Sequence, residues 1–134
     1  MSKPIHQEIV FNAKPSRIYD VLLDSNKFSQ FSGGMPAEIA PDEGGAFSCF
    51  GGMITGRHIE LMPNRRIVQA WRIKMWPEGS YSIVKFELHA EKSETRLVLE
   101  HAAFPDDMRA HLNGEMPDGG WQRQYWDPLK KYLA

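Results

Sequence analysis

Between Met35 and Phe104 the chain alternates strand-like runs with breaks too short to hold a helix. The breaks are Pro41–Gly45, Gly51-Gly52, Pro63-Asn64, Pro77–Gly79 and Lys92–Glu94. Parallel neighbours in a sheet need a long crossover, whereas antiparallel neighbours need only a tight turn. The spacing therefore predicts consecutive hairpins, with strands near Met35–Ala40, Ala46–Phe50, Ile54–Leu61, Arg66–Met75, Ser80–Glu91 and Arg96–Phe104.

The flanks add one more strand and the helices. Ile5, Ile9 and Phe11 share a parity, which suits a half-buried strand over Ile5–Phe11. Pro15 fits a first helical position, and Ile18, Val21 and Leu22 follow at helical spacing, so a helix is expected over Pro15–Leu23. Asp24 and Ser25 are positioned to cap a second short helix, Asn26–Phe31, which Ser32, Gly33 and Gly34 stop. Asp106–Gly120 is polar and rich in breakers, with one helical turn expected near Met108–Leu112. In the final segment Trp121, Tyr125, Leu129 and Tyr132 form an apolar helical stripe, widened by Trp126 and Leu133. Pro128 interrupts it, so a kink or two helical pieces are expected there.

An antiparallel sheet with one apolar face must cover that face, and the terminal helix is the available cover. The expected fold class is α+β. A curved antiparallel sheet wraps a long C-terminal helix, with two short helices after the first strand, which is the helix-grip architecture. At 134 residues one domain is expected, large enough to fold around a core without disulfides. Cys49 is the only cysteine, so no internal disulfide forms, which fits a reducing compartment. A net charge of −1 gives no electrostatic reason to expect nucleic acid or an anionic membrane. No apolar run approaches a membrane span and Met1–Phe11 lacks a signal-peptide pattern, so a cytoplasmic setting is expected.

Several pieces of the sequence resemble the family of activators of heat-shock-protein-90 ATPase homologues. They are Gly44-Gly45 with Phe47, Gly52 and Gly56, Glu60-Leu61 with Pro63, Ile67-Val68 with Trp71-Arg72, and Trp76-Pro77. Thr95–Leu99, Gly120-Trp121 and the Leu129–Leu133 ending continue the likeness over nearly the whole chain. The resemblance implies membership of the START-like, or SRPBCC, superfamily, whose shared trait is a deep hydrophobic pocket. The Trp71-Arg72 to Trp76-Pro77 hairpin is similar to the carboxy-terminal domain of the eukaryotic co-chaperone. That protein has a separate amino-terminal domain making major chaperone contacts. The present 134 residues leave no room for it, so full ATPase stimulation is not expected.

Trp71 shares a parity with Ile67, Gln69, Ile73 and Met75, whereas Trp76 shares one with Arg72 and Lys74. Trp71 is therefore expected on the concave face beside Val84, Phe86 and Leu99, opposite Trp121 and Tyr125. Phe47 and Cys49 are expected on the same wall, Cys49 as a small apolar group and not a nucleophile. His101 follows Leu97 and Leu99 in register, which suggests an inward imidazole, either satisfied by backbone or offered to a ligand. Trp76, at the hairpin end, reads as local packing or as the anchor of a partner surface with Arg72 and Lys74. His58 with Glu60, and His89 with Glu91, should each share a strand face, and a solvated face is expected for both.

No metal-ligand spacing occurs, and neither a metal nor a cofactor is expected. Three functional readings remain. The leading one is a non-catalytic binder of a small apolar or amphipathic ligand in a pocket between sheet and terminal helix. The alternative, implied by the resemblance, is an interaction module contacting a heat-shock-protein-90-type chaperone. An enzyme using the same pocket comes last, because no converging ionisable pair is evident.

Overall fold

The computed structural model describes residues 5–74, 76, 78–103 and 121–133, with the backbone alone at 122 and 123. The helical turn expected at Met108–Leu112 lies outside these residues.

Strand β1 (Ile5–Phe11) buries Ile5, Ile9 and Phe11 on one parity. Helix α1 (Pro15–Leu23) starts with Pro15 in its first turn and buries Ile18, Val21, Leu22 and Leu23. Asp24 joins it to α2 (Ser25–Phe31) by serving both helices. Its backbone N–H donates to the Asp20 carbonyl at 2.9 Å, and its carboxylate accepts from the Lys27 N–H at 2.9 Å. Gly33 and Gly34 then turn the chain away at φ of 84° and 85°, where a side chain would be strained.

The sheet continues through β2 (Glu38–Ile39), β3 (Ala46–Cys49), β4 (Ile54–Met62), β5 (Arg66–Ile73), β6 (Ser82–Glu91) and β7 (Glu94–Ala102). Seven antiparallel strands lie in the order β1-β7-β6-β5-β4-β3-β2. The sequential hairpins are those the short breaks demand, and β1 closes against β7 with Ile5 opposite His101 and Phe11 opposite Thr95. The strand expected at Met35–Ala40 shrinks to two residues. The Pro36 carbonyl instead accepts from the Gly51 N–H, and the Ile39 N–H is taken by the Ser25 hydroxyl at 2.8 Å.

Two features give the concave face its shape. Gly56 lies opposite both Phe47 and Trp71, and the Phe47 ring crosses the space a side chain would occupy. Ile59 bulges out of β4, between the pairs His58↔Gln69 and Glu60↔Val68. The bulge reverses parity beyond it, so His58 points inward while Glu60 points out.

The terminal segment covers this face as a π-helical turn (Gln122–Trp126) followed by α3 (Asp127–Leu133). This is the two-piece helix expected from Pro128, which falls in the first turn of α3, where a missing N–H matters least. Trp121, Tyr125, Trp126, Leu129 and Leu133 are all buried in one core with α1, α2 and the sheet. Among the described residues no helix is long and apolar enough to cross a membrane.

Candidate functional site

The space beneath the terminal helix is occupied by rings. Trp71 from β5 stacks on Trp121 at 5.6 Å, with planes 24° apart, and Trp121 stacks in turn on Trp126 at 5.5 Å and 19°. The π turn makes the second stack. Bonding from i to i+5 brings residues five apart one above the other, whereas an α-helix would swing them to different faces. Phe86 meets the edges of Trp121 and Trp126, and Tyr125 sits among Phe28, Phe31 and Phe50 at 5.5 to 6.1 Å.

Every residue expected along the inner wall is buried there: Phe47, Cys49, Trp71, Val84, Phe86, Leu99, His101, Trp121 and Tyr125. Among the described residues the expected ligand-sized chamber is not seen beside this wall. What remains among the described residues is a void of about 10 Å³ touching Phe28, Phe47, Cys49, Gln69, Phe86 and Tyr125. That is room for about one water, against roughly 300 Å³ or more for a small-molecule pocket. The physical reason is the size of the side chains: the aromatic groups suited to line a pocket are large enough to close it.

The polar groups inside are few. His101, wholly buried, lies edge-on to Trp71 and Trp121, with Nε2 2.7 Å from the Ser82 hydroxyl. Ser82 donates its one hydrogen to the Trp71 carbonyl at 3.2 Å, so the shorter bond is donated by His101. Ser82 is wholly buried and its one hydrogen is committed to the Trp71 carbonyl. Burial pushes the Cys49 thiol up to about 12, which leaves no thiolate at neutral pH. Burial likewise holds the Tyr125 phenol well above its usual range, with the neighbouring Cys49 adding to this and the Trp71 indole opposing it weakly. The Trp71 and Trp76 indole N–H groups have no well-formed hydrogen bond among the described residues.

His58 departs from its expected solvated setting. It is 1% exposed, stacks on Phe47 at 5.3 Å and 23°, and has Nδ1 3.5 Å from the Gln69 amide nitrogen. Desolvation lowers its affinity for a proton, opposed in part by the Ala40 backbone and Asp42. His58 keeps the inward parity of Ile54 and Gly56, and the register shift at Ile59 separates it from Glu60, which turns outward. His89 and Glu91 do lie exposed.

The candidate partner surface also changes. Lys74 is exposed and Arg72 half-buried, but Trp76 is 1% exposed, its ring edge-on to Trp71 at 6.4 Å. The turn folds it inward: its N–H donates to the Ile73 carbonyl at 2.9 Å, and the Arg72 guanidinium donates to its carbonyl. Trp76 is therefore core and cannot anchor a surface. Open space lies elsewhere, in a groove of about 890 Å³ between the end of α2 and the terminal helix, bordered by Gln30, Phe31, Gln124, Lys130, Lys131 and Tyr132. It arises from residues roughly a hundred positions apart in sequence, so only the tertiary fold reveals it.

Comparison with known proteins bears on what the domain does. The family model described as activator of Hsp90 ATPase homolog 1-like protein matches residues 12–134. The human activator of 90 kDa heat shock protein ATPase homolog 1 is 30% identical over 121 residues, covering 90% of this chain and 34% of the relative. The activator homolog of Dictyostelium discoideum is 31% identical over 121 residues, covering 90% and 30%. The chain thus spans about a third of the length of these curated relatives. A solved HSP90 activator from Plasmodium falciparum superposes with a TM-score of 0.88 at 25% identity, covering 98% of this chain and 96% of that one. CalU16 from Micromonospora echinospora shares the fold at a TM-score of 0.76 and 23% identity, covering 98% and 76%. Sequence and architecture agree: the chain belongs to the family of activator of Hsp90 ATPase homolog 1-like proteins.

Proposed function

We infer that the chain is a co-chaperone-like domain that docks on a heat-shock-protein-90-type chaperone in the cytoplasm and modulates its ATPase cycle. The observation that carries this reading is the near-complete superposition on the Plasmodium falciparum HSP90 activator. The filled interior supports it from the physical side. Beside the inner wall the described residues enclose a void of about 10 Å³, which favours recognition at the surface, where exposed Lys74 and the walls of the open groove lie. An apolar-ligand binder has weaker support, because the stacked rings would have to separate to admit a guest.

The test is titration of the purified chain into a heat-shock-protein-90-type chaperone, followed by calorimetry and by steady-state ATP turnover. Micromolar binding with a change in turnover is the expected result. No binding at tens of micromolar protein would overturn the reading.

A further inference from the structure

The outer face of the sheet divides by charge. Buried residues alternate with outward ones along β4, β5 and β6, and pairing across the strands sets the outward side chains in rows. At one end of this face the arginines are matched. Arg66 pairs with Glu60 at 3.1 Å and Glu87 at 3.2 Å, and Arg96 with Glu8 at 3.0 Å and Glu91 at 3.2 Å. The other end differs. One row runs from Arg57 through Ala70 and Ile83 to Ala102, and the next sets Thr55 against Arg72. Tyr81, just before the Ser82↔Trp71 pair, continues that second row and is 46% exposed. Past the end of β5 the Lys74 N–H donates to the Met53 carbonyl at 2.8 Å, which puts exposed Lys74 beside Met53, itself 47% exposed. Among the described residues neither Arg57 nor Lys74 has a carboxylate partner. Arg72 is held by the Lys74 and Trp76 carbonyls, which leave its charge in place. Carboxylates stand at the margins, Glu38 across from Ser48 on β2 and Glu78 in the turn before β6.

We propose that this corner of the outer face, carried by Arg57, Lys74, Met53 and Tyr81, docks an acidic, partly apolar protein surface. The surface is that of the chaperone in the functional reading above, on which the proposal rests. Charge complementarity sets the acidic character of the partner, since the cations here lack the glutamates that match those at the far end. Exposed methionine and tyrosine among arginines are the residue types enriched at protein interfaces. A nucleic acid or an anionic bilayer suits the corner less well, because a long polyanion would run on to Glu60 and Glu100 in the next row. Four strands at about 4.8 Å and five residues at about 3.4 Å span about 300 Å² in plan. That is below the roughly 800 Å² per partner of a stable contact, so the docking is weak and reversible.

Calorimetric titration of the whole chain into the chaperone, at low and at high salt, tests this. The parent should bind, and more weakly as salt rises. Lys74→Glu and Tyr81→Ser should each weaken binding about tenfold, while Lys74→Arg should not. The double variant Lys130→Glu/Lys131→Glu reverses two exposed charges beside the open groove and should bind within about twofold of the parent. All four positions are exposed, and thermal melts verify that each variant folds. A parent that does not bind at tens of micromolar protein would overturn this proposal together with the functional reading. A parent that binds while Lys74→Glu and Tyr81→Ser keep its affinity would overturn the corner alone, as would loss of binding confined to the groove variant. Phosphatidylserine vesicles and duplex DNA supply the last arm, and neither should bind. Binding of either to the parent, lost in Lys74→Glu, would overturn the proposal in favour of a polyanion site.

Discussion

Trp71, on the central strand β5, and Trp121, at the start of the terminal helix, stack face to face at 5.6 Å. This contact ties the two layers of the fold together. Trp71 is 3% exposed and Trp121 4%, so their large apolar areas are almost wholly removed from water. A helix-grip protein with an open pocket would hold these two residues apart. Here they touch, which makes the ring stack the structural core of the domain and not the wall of a cavity.

Trp71→Ala should therefore cost about 3–5 kcal/mol, the range for truncating a large buried aromatic residue. Urea denaturation of both proteins measures it. A loss well below 2 kcal/mol would mean that the ring borders open space, and it would revive the ligand-pocket reading.

Gly56→Ala tests the close approach of β3, β4 and β5. A methyl group at this position would meet the Ala70 carbonyl oxygen and lie 2.8 Å from the Phe47 ring. Backbone and a buried ring must both shift, so a loss of about 3 kcal/mol is expected, at the upper end of overpacking costs. Gly44→Ala is the contrast, since its surroundings are open and only its φ of 80° is strained. A Gly56→Ala protein as stable as the parent would contradict the packing described.

How much of this was readable in advance follows from how local each cause is. Parity put Trp71, Val84, Phe86 and Leu99 on the inner face, because alternation within one strand is a local property. Pro128 announced the break in the terminal helix for the same reason. The shared face expected for His58 and Glu60 fails because one extra residue at Ile59 inverts Glu60, while His58 keeps the buried parity of Ile54 and Gly56. Of the two readings parity leaves for Trp76, hairpin-end packing is the one its burial fits, since β5 ends at Ile73 and the parity shared with Arg72 and Lys74 lapses there. Whether the pocket is open or closed depends on summed ring volumes from six elements, which no single stretch encodes.

Cys49 offers a direct probe of how closed the interior is. It is 2% exposed, and burial raises its pKa to about 12. The native protein at pH 8 should consume no thiol reagent on the timescale of a mixing experiment, and one equivalent after unfolding in guanidinium. Prompt labelling of the native chain would show that the seam beside the small void opens freely.

His58 supplies the pH dependence. Its native proton affinity lies below the ordinary value of 6.5, chiefly through desolvation. Above that value histidine is neutral in both states, and the contribution of this position is fully present. As pH falls through it, the unfolded chain takes up a proton that the folded chain resists, so stability declines until the lower native value is passed. The decline cannot exceed about 1.4 kcal/mol per pH unit. His58→Gln removes the titration while keeping a polar group beside Gln69. Urea curves of both proteins at pH 7.5 and pH 5.5 isolate the term, because the carboxylates common to both cancel in the difference. The parent should lose more stability than the variant on acidification, by up to about 1 kcal/mol. Equal losses would mean that His58 reaches water in the folded chain, and a smaller loss in the parent would mean that an acidic partner stabilises its protonated form.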